Sequence, residues 1–226
     1  MSYFIAYVDK EEDERKKFVA EFDSEENEFE IESIDPEENP NVEEMVEYLL
    51  QLGVDALITD FDLTKGGKVN YTSNDLIYQL RRYRPEFPCF IQTADEHKAI
   101  KVSSDVNMVY TKDHTVDEPN SKSEKRPRPI DPQRVKYQIE SYRSRIQRWQ
   151  DELHNLLEIP IEQRTAAQID RFLELDHNLE YAFCGELTIP KSVKEDLLKG
   201  NDKREELLDV AERLIIDIRK ELDDSK

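Results

Sequence analysis

Ala56-Leu57-Ile58-Thr59-Asp60 (ALITD, residues 56–60) is a short apolar run that stops on an aspartate, and Tyr3-Phe4-Ile5-Ala6-Tyr7-Val8-Asp9 (YFIAYVD) does the same near the start of the chain. Apolar runs of about four to eight residues, rich in aromatic and β-branched types, suit strands covered on both faces by helices. Two later runs, Cys89 to Thr93 and Met108 to Thr111, deliver Thr93 and Lys112 to equivalent places. Ligands of open parallel sheets bind outside the carboxyl ends of the strands. Asp9, Asp60, Thr93 and Lys112 are therefore expected to converge on one site.

The segments between these runs read as helices and one weaker strand. Glu11 to Phe22 sets Phe18 and Phe22 four apart on a helical face, and the acidic segment Ser24 to Glu28 reads as a turn. Phe29, Ile31 and Ser33 alternate with Glu30, Glu32 and Ile34, which predicts a strand more exposed than the first. Asp35 to Asn41, with Pro36 and Pro40, reads as a loop. Val42, Met45, Val46, Leu49, Leu50 and Leu52 recur at helical spacing, with Gly53 placed as a C-cap. Leu63 to Ser73 reads as a loop over the strand ends. Leu76, Ile77, Leu80 and Tyr83 mark a helix over residues 74–83 that Pro85 and Pro88 close. A poorly apolar helix, roughly Asp95 to Val102, precedes the last strand. Five strands alternating with four helices predict a doubly wound α/β fold.

Asp113 to Pro129 breaks this rhythm with three prolines and four basic residues, as a polar insertion does. Asp131-Pro132 then makes an N-cap and first-turn pair for a long helix. Val135, Ile139, Tyr142, Ile146, Trp149, Leu153 and Leu156 follow steps of four and three, a heptad stripe. A helix over residues 161–183 is expected after a break at Pro160, ended by Gly185 and Pro190. Leu207, Leu208, Ala211, Leu214, Ile215, Ile218 and Leu222 predict a final amphipathic helix. The back of the chain thus reads as an all-α hairpin or bundle.

Composition narrows the function classes. The chain has 226 residues, 37% of them apolar, and a net charge of −20. Residues 1–120 carry 12 basic against 29 acidic groups, whereas residues 121–226 carry 20 against 23. The acidic front disfavours nonspecific binding to phosphate backbones and favours cations or basic protein partners. Residues 122–148 carry nine basic against three acidic groups, but Tyr142 and Trp149 lie on the apolar stripe, where core packing is expected rather than base stacking. Nucleic-acid binding is accordingly disfavoured. No run of about 18 apolar residues is present, so no membrane contact and a cytoplasmic location are expected. Cys89 and Cys184 are expected as free buried thiols. His154 and His177 lie on predicted helices without a metal or nucleophile constellation around them.

A carboxylate cluster at strand ends suits a hard divalent cation, preferably magnesium, which keeps waters and uses few protein carboxylates. Asp60 then serves as a carboxylate nucleophile toward a phosphoryl group, with Thr93 and Lys112 pairing with the transferred oxygens. Here the chain resembles the receiver domain of two-component response regulators. Val8-Asp9 with Glu11 and Arg15 is similar to the first strand end and helix start, and Leu57 to Leu63 to the phosphoacceptor segment. Ile91-Gln92-Thr93-Ala94 looks like the switch segment of the fourth strand, and Tyr110-Thr111-Lys112 like the lysine segment of the fifth. Four segments in sequence over residues 1 to about 112 carry the resemblance.

The resemblance implies a flavodoxin-like sheet of order 2-1-3-4-5. Its receiver domain would span residues 1–142, with an inserted loop at 113–130 before the fifth helix, and a helical output module residues 143–226. It implies phosphorylation of Asp60 by a histidine kinase or phosphotransfer protein, with Thr93 and Lys112 assisting. Magnesium would be held by Asp9, Asp60 and Asp62. The change would pass along the extended helix to a protein effector, or to a second copy through the heptad stripe. Beyond gaining and losing its own phosphoryl group, such a protein is not an enzyme. Three positions depart from the pattern: Lys10 stands where a second acid is usual, Asp113 where a proline follows the lysine, and Val109 where many receivers place a switch aromatic. The alternatives are an unphosphorylated pseudo-receiver scaffold and a DNA-binding response regulator.

Overall fold

The computed structural model of the chain describes residues 2–22, 28–103, 105–112, 129–160, 163–185, 188–189 and 193–194. The chain divides into two compact units, Met1–Arg81 with Phe87–Tyr142, and Arg82–Glu86 with Arg143–Lys226. The first unit is built on β1 (Tyr3–Val8), α1 (Glu12–Phe22), β2 (Phe29–Ile34), α2 (Val42–Leu52), β3 (Ala56–Asp60), α3 (Ser73–Tyr83), β4 (Cys89–Thr93), α4 (Glu96–Val102) and β5 (Val109–Thr111). The strands form one sheet of order β2-β1-β3-β4-β5. Each of its four pairings is parallel. This is the flavodoxin-like order that the sequence predicts.

The apolar runs become strands because both sheet faces are covered. Side chains alternate along a strand, so neighbouring residues supply opposite layers. Tyr3, Ile5 and Tyr7 of β1 join Ile58, Phe90 and Tyr110, and bury Phe18 and Phe22 of α1 with Val135 and Ile139. The latter two belong to α5 (Pro132–Leu157). Ala6 and Val8 join Leu57 and Ile91 against Met45, Val46 and Leu49 of α2 and Leu76, Ile77 and Leu80 of α3. Within the first layer, Tyr7 stacks on Phe18 with ring centroids 3.9 Å apart, and Phe18 on Phe22 at 4.2 Å. The edge strand β2 is the more exposed one, with only Ile34 fully buried, as its alternating glutamates predict.

Local differences from the sequence expectation have identifiable causes. The Asp35 to Asn41 loop contains a 3-10 turn over Pro36–Glu38, opened by Asp35 accepting from the Glu37 amide. Met108 belongs to a 3-10 turn, Val106–Met108, rather than to β5. The polar insertion lies outside the described residues as far as 128. Beyond it, Pro129 forms a parallel bridge with Thr111, and Ile130 is buried.

In the second unit the long helix α5 ends at Leu157, and α6 runs Ala166–Cys184. α6 begins five residues later than expected. Arg164 donates to the carbonyls of Ile159 (2.8 Å) and Leu157 (3.3 Å), tying off the end of α5. Thr165 and Gln168 then form a reciprocal capping box that starts α6. Phe172, Leu173, Leu175, Leu179 and Ala182 are buried along α6, as are Ile146 and Leu153 on α5. Arg171 meets Glu152 with two bonds, 2.7 and 2.6 Å, though the exposure of both groups limits their contribution to stability. The final predicted helix, residues 207–222, lies outside the described residues. No described helix is long and apolar enough to cross a membrane.

Gly53 terminates α2 in the left-handed conformation, φ 69°. No atom lies within 4 Å of an added Cβ, so a substitution there is resisted by backbone conformation alone. Gly53→Ala is expected to cost about 1 kcal/mol in chemical denaturation. An unchanged midpoint would mean that the left-handed cap carries no cost.

Candidate functional site

Register brings the first two carboxylates together. Val8 of β1 pairs with Thr59 of β3, so Asp9 and Asp60, the next residue of each segment, emerge side by side at the carboxyl edge. Both are buried, Asp9 completely and Asp60 to 8% exposure. Two like charges out of water require a counter-charge. Lys112, immediately after β5, supplies it: its Nζ lies 2.6 Å from Asp9 Oδ2 and 2.6 Å from Asp60 Oδ1. The Lys112 amide donates to the Thr93 carbonyl at 3.0 Å, which anchors the lysine to the end of β4.

The remaining carboxylate oxygens are also engaged. Asp9 Oδ2 accepts from the Tyr7 hydroxyl at 3.0 Å, and Oδ1 from the Glu11 amide at 2.9 Å. Asp60 Oδ2 accepts from the Asp62 amide at 2.9 Å. Burial raises the Asp60 pKa, and the neighbouring Asp9 charge adds to it, against the pull of Lys112 and the Asp62 amide. Burial opposes the Lys112 charge, but the carboxylates of Asp60 and Asp9 outweigh it and raise its pKa. Two carboxylates thus share one firmly held ammonium. The Tyr7 hydroxyl is held protonated by burial first and by Asp9 second.

Thr93, also buried, ends β4 beside Asp60, since Asp60 pairs with Gln92. Its hydroxyl oxygen accepts from the Asp95 amide at 2.9 Å, a bond that uses one lone pair and leaves the hydroxyl proton as a potential donor. Asp95 in turn caps α4 by accepting from the Lys98 amide.

Lys10 is the departure with the largest structural consequence. Its Nζ donates to the backbone carbonyl of Asp62 at 2.7 Å. Arg15 holds the opposite side of the segment, donating to the Asp9 carbonyl at 2.5 Å and pairing with Asp35 at 3.2 Å. A divalent cation at Asp9, Asp60 and the Asp62 carbonyl would need the oxygen that accepts from Lys10 and the carboxylate oxygens that accept from Lys112. The Asp62 side chain instead accepts from the Thr64 hydroxyl at 3.3 Å. Among the described residues no group of three acids, histidines or cysteines is placed to hold a metal ion. With Lys10 on the Asp62 carbonyl and Lys112 on both carboxylates, each oxygen source expected to hold magnesium is already hydrogen-bonded to an ammonium.

The site opens into a cleft of about 760 Å³, lined by Asp60, Asp62, Thr93 and Lys112 together with Lys10, Lys65 and Lys98. The fully buried Asp9 does not line it. Lys98 lies 5.6 Å from the centre of the Phe61 ring. Sequence reasoning brought Asp9, Asp60, Thr93 and Lys112 to one edge, and missed the Tyr7 hydroxyl and the contact of Lys10. The signal for Lys10 was its charge beside Asp9. Cys89 lies away from this edge in the buried core, where burial pushes its thiol up to about 11.

No protein-family model matches the chain, and no curated protein matches it. Among solved structures, the crystal structure of NtrX from Brucella abortus is similar, with 15% sequence identity and a TM-score of 0.41 over 77% of this chain. The chain spans about a third of the length of that protein, 34%.

Because the folded Asp60 pKa is raised, its ionisation opposes folding. That penalty is absent below the ordinary carboxylate value near pH ~4 and complete above the folded pKa. Asp60→Asn removes the penalty and leaves Lys112 paired with Asp9. The stability advantage of Asp60→Asn over wild type is therefore expected to grow from acid toward neutral pH. Urea midpoints measured for both proteins across this range would contradict the account if the difference shrank.

Proposed function

We propose that the chain is a receiver-type signalling protein in which Asp60 accepts a phosphoryl group from a partner histidine kinase or phosphotransfer protein. The observation that carries this reading is the Lys112 ammonium, 2.6 Å from Asp60 Oδ1 at the edge of an open cleft. An Asp60 oxygen attacks phosphorus in line with the bond to the donor's imidazole nitrogen. As the P–O bond forms and the P–N bond breaks, the departing nitrogen takes its electron pair and is reprotonated. Lys112 and the Thr93 hydroxyl proton pair with the equatorial phosphoryl oxygens, where positioned charge and donors lower the barrier. Asp9, buried and bound to Tyr7, Glu11 and Lys112, orients the lysine and does not react.

The product changes the partners of Thr93 and Lys112. Such a change at the ends of β4 and β5 is passed on by switching loop and helix positions. The route proposed is α5, whose Pro132–Tyr142 part belongs to the first unit and whose remainder belongs to the second. Its receiver at the far end is a protein partner. The protein is then a cytoplasmic relay rather than an enzyme acting on other substrates. The acidic surface of the first 120 residues favours a partner face with basic groups.

Incubation with acetyl phosphate or phosphoramidate is expected to add one phosphoryl mass to the wild type, released by hydroxylamine as an acyl phosphate is, and none to Asp60→Asn. Lys112→Ala is expected to slow labelling by roughly 10²-fold. If the wild type acquires no phosphoryl group with or without added divalent cations, Asp60 is not a phosphoacceptor.

A further inference from the structure

We infer that Lys10 takes the place of a divalent cation in this pocket, so that Asp60 engages a phosphoryl group without a metal ion. The inference rests on Asp60 being the phosphoacceptor. It starts from the Lys10 ammonium, 2.7 Å from the Asp62 carbonyl. That carbonyl is one of three oxygen sources, with Asp9 and Asp60, from which a cation site here would be assembled. The other two already accept hydrogen bonds: Lys112 bridges their carboxylates, the Tyr7 hydroxyl and the Glu11 amide donate to Asp9, and the Asp62 amide donates to Asp60.

Magnesium demands near-ideal octahedral geometry with short bonds and gives up water reluctantly. A lysine ammonium asks for much less. It is a point charge with three donors on a flexible stem, able to keep one carbonyl and turn its other protons toward an incoming oxygen. Lys112 brings its positive charge directly to Asp9 and Asp60, and Lys10, held on the Asp62 carbonyl, adds a second one to the wall of the same cleft. Transfer turns the Asp60 carboxylate into an acyl phosphate bearing more negative charge, beside Lys112 and in a cleft where Lys10, Lys17, Lys65 and Lys98 stand among Glu11, Glu14, Glu21, Asp62 and Asp95. The bond changes are those of the donor reaction: the bond from phosphorus to the donor's leaving group breaks, its electrons leave with that group, and the bond from phosphorus to the Asp60 oxygen forms. No oxidant, reductant or metal enters the balance.

Two measurements on the full chain test this. The first is labelling by phosphoramidate in EDTA and in magnesium, for wild type, Lys10→Ala and Lys10→Asp. The wild type is expected to label equally in both, while Lys10→Ala loses roughly tenfold or more in EDTA. The second is binding of manganese, followed by the loss of its free-ion paramagnetic resonance signal, which needs no phosphoryl transfer. Wild type is expected to leave the ion free, and Lys10→Asp, with a second acid beside Asp9, to bind it. Wild type that labels only with magnesium, or binds manganese as tightly as Lys10→Asp, would overturn the role of Lys10 while leaving Asp60 as the acceptor. Wild type that labels in neither condition would overturn the phosphoacceptor reading, and this inference with it.

Discussion

Two buried carboxylates at adjacent strand ends are tolerable only with an ammonium between them, and this constraint organises the first unit. Asp9 and Asp60 are set side by side by the β1–β3 register, and the sheet order places β5 two strands away from β3. Lys112 must therefore reach across the end of β4. Its amide bond to the Thr93 carbonyl fixes where that reach begins. Removing the ammonium would leave two like charges desolvated together, the kind of broken buried pair that costs about 3–5 kcal/mol. The chemistry proposed for Asp60 draws on the same strain: a nucleophile held by one shared lysine, with its pKa raised by burial, exchanges one partner for another when a phosphoryl group arrives.

The charge pattern of the whole chain hides this local arrangement. The first 120 residues are strongly acidic, which read alone suggests a pocket hungry for cations. Inside the cleft, however, lysines from β1's end, the loop after β3, α4 and β5's end line the walls alongside the acids. Net charge governs what approaches from a distance, and a few placed ammonium groups govern what binds at contact range. An anionic group can accordingly be accommodated in a protein whose surface would repel it on average.

What could be read from the sequence follows the range of the interaction. Strands β1, β3, β4 and β5 were legible because they have apolar side chains on both faces, β2 because its apolar residues alternate with glutamates, and the site edge because the apolar runs end on polar residues. The cap at Gly53 was legible for the same local reason. Lys10 was not, since its partner lies 52 residues away and no periodicity reports such a contact. Tyr7 was hidden differently. Its ring belongs to the apolar run that predicts β1, stacking on Phe18, while its hydroxyl serves Asp9. The start of α6 was misplaced although Thr165-Ala166-Ala167-Gln168 spells a capping box, because Ile161-Glu162-Gln163-Arg164 contains no helix breaker after Pro160.

The heptad stripe of α5 shows the limit of periodicity as a guide to partners. A step of four and three residues states that one helix face is apolar, and it is equally compatible with a second copy of the chain, a bundle or a sheet. Val135 and Ile139 are buried in the cluster formed by β1, β3, β4 and α1, and Tyr142 meets Phe87 edge to face at 5.9 Å. Further along, Ile146 and Leu153 are buried by the chain itself. These stripe positions are covered without a dimer partner, so the regular repeat is not by itself a reason to invoke a coiled coil. On a straight helix Val135 and Leu153, 18 residues apart, complete about five turns and share one azimuth. One apolar stripe therefore packs Val135 and Ile139 in the first unit and Ile146 and Leu153 in the second.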